Sequence, residues 1–207
     1  MNANELKIKA CIGNYGYYAE GQLRDKWVTL PMKPADLDAW LKDNGLTDAF
    51  HEETYISDVE CDALNLRCLG EVSPYLLNMI AWAMNYAGAE AVETLNNALC
   101  CGIDAPHNAK EMINALINAD EIQYYEFPCD SFGQPSLEMC GYELAEGAGI
   151  LKVLEDNCAD CYFDFRAYAE NELMDFFVSD SGYTVEGPGM DTYSIDEAAE
   201  IIGMKAA

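Results

Sequence analysis

The sequence predicts an α+β fold built from three successive segments. Three observations carry that expectation. Residues 1–62 alternate short β-rich runs with one helical pattern. Residues 63–119 repeat apolar positions at +3 and +4 spacing between Gly and Pro breaks. Residues 120–207 mix tyrosine-rich runs with capped helical stretches, and an extension begins at about 188.

In the first segment, Leu6–Gly13 alternates and reads as a strand. Asn14–Gly21 is a Gly-flanked polar and aromatic loop. Lys26–Leu30 is a second strand, ended by Pro31. Pro34 suits a first helical turn, and Leu37, Trp40 and Leu41 then share a face before Gly45 stops the helix. Glu53–Val59 reads as a third strand. In the middle, Ser73-Pro74 opens a helix carrying Leu76, Leu77, Ile80, Ala81 and Met84. Gly88 separates it from a second helix with Val92, Leu95 and Leu99, which Cys100-Cys101 ends. A third carries Met112, Ile113, Leu116 and Ile117. Short connections imply an antiparallel cluster. In the last segment, Glu121–Phe127 is a strand, and Ser136 caps a helix to Leu144 or Glu146. Ile150–Leu154 and Asp164–Leu173 are helices. Met174–Ser179 and Tyr183–Glu186 form a hairpin about Asp180-Ser-Gly182. Ser194 caps a final helix, Ile195–Ile202.

Charge narrows the function classes. The 207 residues hold 37 acids and 11 bases, a net charge of −26, with 51% hydrophobic residues. A core is affordable and wholesale disorder is excluded. Direct nucleic-acid binding through a basic patch is excluded, and an anionic membrane surface would repel the chain. No apolar run spans a bilayer. Met1-Asn-Ala-Asn-Glu-Leu-Lys7 has no basic region followed by an apolar stretch, so a cytoplasmic location is expected. The charge is uneven: residues 1–67 carry net −5 and residues 68–207 carry −21. Self-repulsion of that size asks for a use.

Motifs for chemistry are sparse. Gly13, Gly16 and Gly21 lack the spacing and following helix of a phosphate cradle. His107 reads as a surface residue and His51 stands far from the cysteines. The nine cysteines read as free thiols in a reducing compartment, and Cys158-Ala-Asp-Cys161 as buried and inert, with no metal ligands at matching spacing. Carboxylates are the abundant reactive type. Asp156, Asp160, Asp164 and Glu172, with Tyr168, would share a face if the stretch were one helix, whereas an irregular Cys158–Cys161 would break that face. A carboxylate-dependent enzyme, a divalent-metal binder and an acidic module for a basic partner all stay open at this point.

Duplex DNA carries about one charge per 1.7 Å. Twenty-six charges match about 44 Å of duplex on that scale, and a globule of this length spans about 43 Å. An inhibitor filling a basic DNA-binding groove is therefore physically reasonable.

Ile12-Gly13-Asn14-Tyr-Gly16-Tyr-Tyr18-Ala-Glu20-Gly21, followed by Trp27-Val-Thr-Leu30-Pro31, resembles the opening of ArdA-type antirestriction proteins. Glu53–Asp58 is similar to the family's acidic strand. Tyr162-Phe163-Asp164-Phe165-Arg166-Ala-Tyr168, through Glu172, is similar to its acidic and aromatic segment near the C-terminus. The resemblance implies an elongated, curved three-domain DNA mimic that occupies the DNA-binding groove of type I restriction–modification enzymes. It implies dimerisation through the C-terminal domain, carriage on mobile genetic elements, and no catalytic centre, metal or cofactor. The acids expected to replace phosphates are Asp156, Asp160, Asp164, Glu170, Glu172 and Asp175, continued by Glu90, Glu93, Asp120, Glu121 and Glu126. Tyr162, Phe163, Phe165 and Tyr168 are expected to hold the segment or its dimer contact.

Overall fold

A computed structural model describes residues 5–206. The reading of the N-terminus over Met1–Asn4 lies outside them. Among the described residues, nine α-helices and two three-stranded antiparallel sheets make an α+β fold. They group into two compact units. One comprises Met1–Asn96, Ala105–Glu121 and Pro188–Ala207; the other comprises Asn97–Asp104 and Ile122–Gly187. These units cut across the three segments read from the sequence. The extension from Pro188 groups with Met1–Asn96 and Ala105–Glu121 rather than with Ile122–Gly187.

In the first unit, β1 (Ile8–Asn14) lies between β2 (Lys26–Leu30) and β3 (Thr54–Glu60). Alternation holds only at the start of β1: Ile8, Ala10 and Ile12 are fully buried and Lys9 is exposed, but Cys11, Gly13 and Asn14 are buried too; Ile8 and Ala10 sit opposite the buried Leu30 and Val28. Ser57 is the extra residue of a bulge between Cys11 and Ile12, and its hydroxyl donates to the Cys11 carbonyl at 3.1 Å. The segment after β1 is not a loop. It forms α1 (Tyr15–Ala19), because the Asn14 side chain accepts from the Gly16 and Tyr17 amides and starts a helical turn.

Helix α2 (Pro34–Asp43) buries Leu37 and Leu41. Helix α3 (Pro74–Ala87), capped by Ser73, buries Leu77, Met79, Ile80, Ala81, Ala83 and Met84. A helix apolar nearly all round sits inside a core; α3 packs on β1 and β3. Helix α4 (Ala89–Cys100) follows, and α5 (Ala109–Ile117), which packs against α3, buries Met112, Ile113 and Leu116.

Three asparagines on these helices each bind both backbone groups of a residue outside the helices and strands. Asn78 donates to the Met32 carbonyl (2.9 Å) and accepts from its amide (2.8 Å). Asn85 does the same for Leu6, and Asn114 for Tyr193. Buried backbone with no strand partner is satisfied this way. Asn114, with Asn118 bonded to Gly189 and Thr192, fastens the extension onto α5. Its last helix, α9 (Ile195–Ile201), has a Ser194–Glu197 capping box and buries Ala198 and Ala199.

In the second unit, β6 (Gly182–Thr184) lies between β4 (Tyr124–Glu126) and β5 (Phe177–Val178). The strand expected over 174–179 shortens to two residues. Leu173 to Phe176 instead closes a turn, with the Phe176 amide bonded to the Leu173 carbonyl at 3.0 Å. Phe127, Cys140 and Leu173 form the core with Leu137, Leu144, Phe176 and Tyr183 around them. Helices α6 (Leu137–Gly147), α7 (Ile150–Asp156) and α8 (Phe165–Glu172) complete the unit. Gly141 lets α6 approach the Phe165 carbonyl and Ala169 Cβ, where any side chain would collide.

Candidate functional site

The single helical face from Asp156 to Glu172 does not form. Helix α7 ends at Asp156, Cys158 takes a left-handed φ of 51°, Asp160–Tyr162 is a 3-10 turn, and α8 starts after Asp164. Asp164 caps α8 by accepting from the Ala167 amide at 2.9 Å, so only Asp164, Tyr168 and Glu172 keep the spacing. Cys158 and Cys161 are exposed, because that irregular turn lies on the surface; Cys100, at the end of α4, and Cys129 are exposed too. The reading of Cys158 and Cys161 as buried is therefore wrong; the buried thiols are Cys11, Cys101 and Cys140, and burial raises the Cys101 and Cys140 thiols above their usual range.

All eleven acids singled out in the sequence are exposed. Glu90 and Glu93 lie on α4, and Asp120 and Glu121 in a 3-10 turn after α5. Glu126 is on β4, and Asp175 follows α8. Among the described residues only Glu170 of the eleven makes an ion pair, with Arg166 at 3.1 Å. The others keep their charge facing water. Phe163, Phe165 and Tyr168 pack together, with ring centroids 5.0 Å and 5.6 Å from Phe163, and Tyr142 lies against Phe165. Tyr162 does not share this packing and points outward, 88% exposed.

The N-terminal motif is an interlocked set of side chains. Asn14 starts α1 and also donates to the His51 carbonyl at 3.2 Å. Gly16 leaves room for the His51 ring, which stacks on Tyr17 at 4.0 Å. His51 Nδ1 is 2.9 Å from Asp48 and Nε2 is 3.2 Å from Glu20. Both nitrogens donate only when the ring is protonated. Glu20, then Asp48, raise the His51 pKa above its ordinary value. The Tyr17 hydroxyl donates to Asp48 at 2.6 Å, and the Arg24 guanidinium lies 3.7 Å over the Tyr17 ring. That hydroxyl, the Phe50 amide and His51 hold the Asp48 carboxyl far below the carboxylate range. Gly21, with φ of 79°, turns the chain toward β2. Gly13 admits Tyr55, whose hydroxyl donates to Asp25 at 3.1 Å. Tyr18 is exposed, Trp27 is half-exposed opposite Cys11, and Leu30 is buried before Pro31.

The profile of one protein family, described as Antirestriction protein (ArdA), matches residues 10–185. The chain belongs to the ArdA family. Its function is therefore antirestriction, and its partners are restriction–modification enzymes. No curated protein and no solved structure matches the chain. The ArdA match ends before the extension at 188, so α9 and the clamped residues Gly189, Thr192 and Tyr193 lie outside it, whereas the clamping Asn114 and Asn118 lie inside.

Asp48 and His51 escaped the sequence reading. Asp48-Ala-Phe50 carries an Asx-turn signal, but the pairing of His51 with Glu20 bridges 31 positions and has no local sign. Among the described residues no group of three or more His, Cys, Asp or Glu side chains is placed to hold a metal ion, and no helix is long and apolar enough to cross a membrane.

Proposed function

We propose that the chain inhibits type I restriction–modification enzymes by presenting exposed carboxylates where the enzyme's DNA-binding groove receives phosphates. The observation that carries this reading is the exposure of all eleven acids, ten of them without an ion pair among the described residues. Unneutralised surface carboxylates attract a basic groove over about a Debye length and speed encounter. The reading needs no catalytic centre and no cofactor. The inhibitor works in the cytoplasm, where those enzymes meet incoming DNA. It acts as a homodimer through the C-terminal domain; exposed Phe177 and Val178 on edge strand β5 support that placement.

The test is graded charge removal. Because the effect is collective, D156N or D160N alone leaves inhibition of a type I methyltransferase within about twofold, the scale of a rim charge. D156N, D160N, D164N and E172Q combined weaken it by tenfold or more and flatten its salt dependence. Asn at 164 still caps α8. Abolition of inhibition by one substitution would instead favour a carboxylate enzyme or metal site. An unchanged combined variant would point to another basic partner.

A further inference from the structure

Phe50 is 90% exposed, yet its backbone is fixed. Asp48 Oδ1 accepts from the Phe50 amide at 2.8 Å and from the His51 amide at 3.0 Å. The His51 ring is in turn held by Asp48, Glu20 and Tyr17. The turn thus holds the backbone from which an apolar ring projects into solvent. At its foot is a hollow of about 340 Å³ lined by Gly16, Ala49, Phe50, His51, Glu52 and Glu53. Glu52 and Glu53 are exposed.

A lone exposed apolar side chain is ordinary. An aromatic residue on a braced turn that lines one hollow with two exposed acidic residues is a more specific combination. A guanidinium stacks on an aromatic ring while its fork of donors meets carboxylates, which an ammonium does less well. Fixing the turn's backbone beforehand lowers the ordering cost of binding.

We propose that the Asp48–Glu53 turn is a seat for an arginine side chain of the partner protein, with Phe50 covering the guanidinium and Glu52 and Glu53 neutralising it. The partner is a protein with an arginine-rich surface. This deepens the proposed function and rests on it for the partner's identity, since a groove that binds DNA is rich in such side chains. DNA itself has no aromatic ring projecting beside its phosphates in this way, so the seat adds an interaction that phosphate mimicry lacks.

Two arms separate the seat from that reading. In the first, the full chain binds octa-arginine and octa-lysine peptides. The expected result is a preference for arginine of about threefold to tenfold, the range of a cation–π contact, lost in F50A and kept in F50W. Equal affinity for both peptides, or a preference that survives F50A, would overturn the seat. In the second, wild type and F50A bind a purified type I methyltransferase at three salt concentrations. F50A is expected to weaken binding about threefold to tenfold at every salt without changing the salt slope. F50A within twofold of wild type overturns the seat and leaves phosphate mimicry standing. Wild type that fails to bind the methyltransferase, with the arginine preference intact, overturns the partner and supports the seat. Far-ultraviolet circular dichroism and an unchanged melting midpoint show that F50A folds.

Discussion

The turns Asp48-Ala-Phe50 and Asp130-Ser-Phe132 use one local device and are held in two different ways. In each, the Asp Oδ1 accepts from the Phe amide at 2.8 Å, and the Phe is almost fully exposed, 90% in one and 86% in the other. The second turn is closed by its own backbone. The Asp130 amide donates to the Gln134 carbonyl at 2.8 Å, the Gly133 amide donates to the Asp130 carbonyl at 3.0 Å, and Cys129 bridges to Pro135. The first also has an Asp48–His51 backbone bond, at 3.2 Å, but is braced mainly by side chains that arrive from α1 and beyond: Tyr17, Glu20 and the ring of His51. The same amino-acid signal therefore yields one turn closed by its own backbone and carboxylate and another that also depends on a remote histidine and carboxylate. Only the second is braced by residues adjacent in sequence.

The largest contrast is expected with pH. His51 has a raised folded pKa, so its stabilisation is complete below the unfolded value of about 6.5 and is lost as pH rises through the folded value. Asp48 has a depressed folded pKa, so its contribution is present above about 3.9 and is lost as pH falls through the folded value. Amide protection at Phe50 and His51, corrected for intrinsic exchange, is expected to fall on the alkaline side, while that at Phe132 and Gln134 stays level. H51Q is expected to remove the alkaline loss. Parallel behaviour of the two turns would dissolve the distinction.

Gly133 has φ of 76°, a conformation costing about 1–2 kcal/mol for an L side chain. G133A is expected to destabilise by that amount, read by urea unfolding, without altering the His51 titration. N14A removes the cap of α1 and the bond to the His51 carbonyl. A loss of about 1 kcal/mol is expected, together with loosening of the first turn only, seen in His51 ring shifts. The smallest effect is expected for R24A. Removing an exposed cation–π contact on Tyr17 costs about 0.5–1 kcal/mol, measured against R24K.

The same division between local and remote closure explains what the sequence disclosed. Strands β1, β2 and β3, the Ser73 cap of α3 and the capping box of α9 are local patterns, and they appear close to where alternation and capping place them. Helix α1 was hidden because Asn14 and Gly16 read equally well as turn residues. The clamp of Asn114 on Tyr193 joins positions 79 apart, so nothing near either residue signals that the extension returns to α5. The exposure of all eleven acids was legible from composition, since carboxylates are seldom buried without a partner. The break between α7 and α8 was legible only as one of two alternatives around Cys158.

Competition between this chain and DNA for a basic groove, as proposed above, is read out by displacement. A labelled duplex bound to a type I methyltransferase is titrated with the full chain at low and moderate salt. The expected result is stoichiometric release of the duplex, with an inhibition constant that weakens steeply as salt rises. A ternary complex that retains the duplex, or inhibition without release, would contradict it.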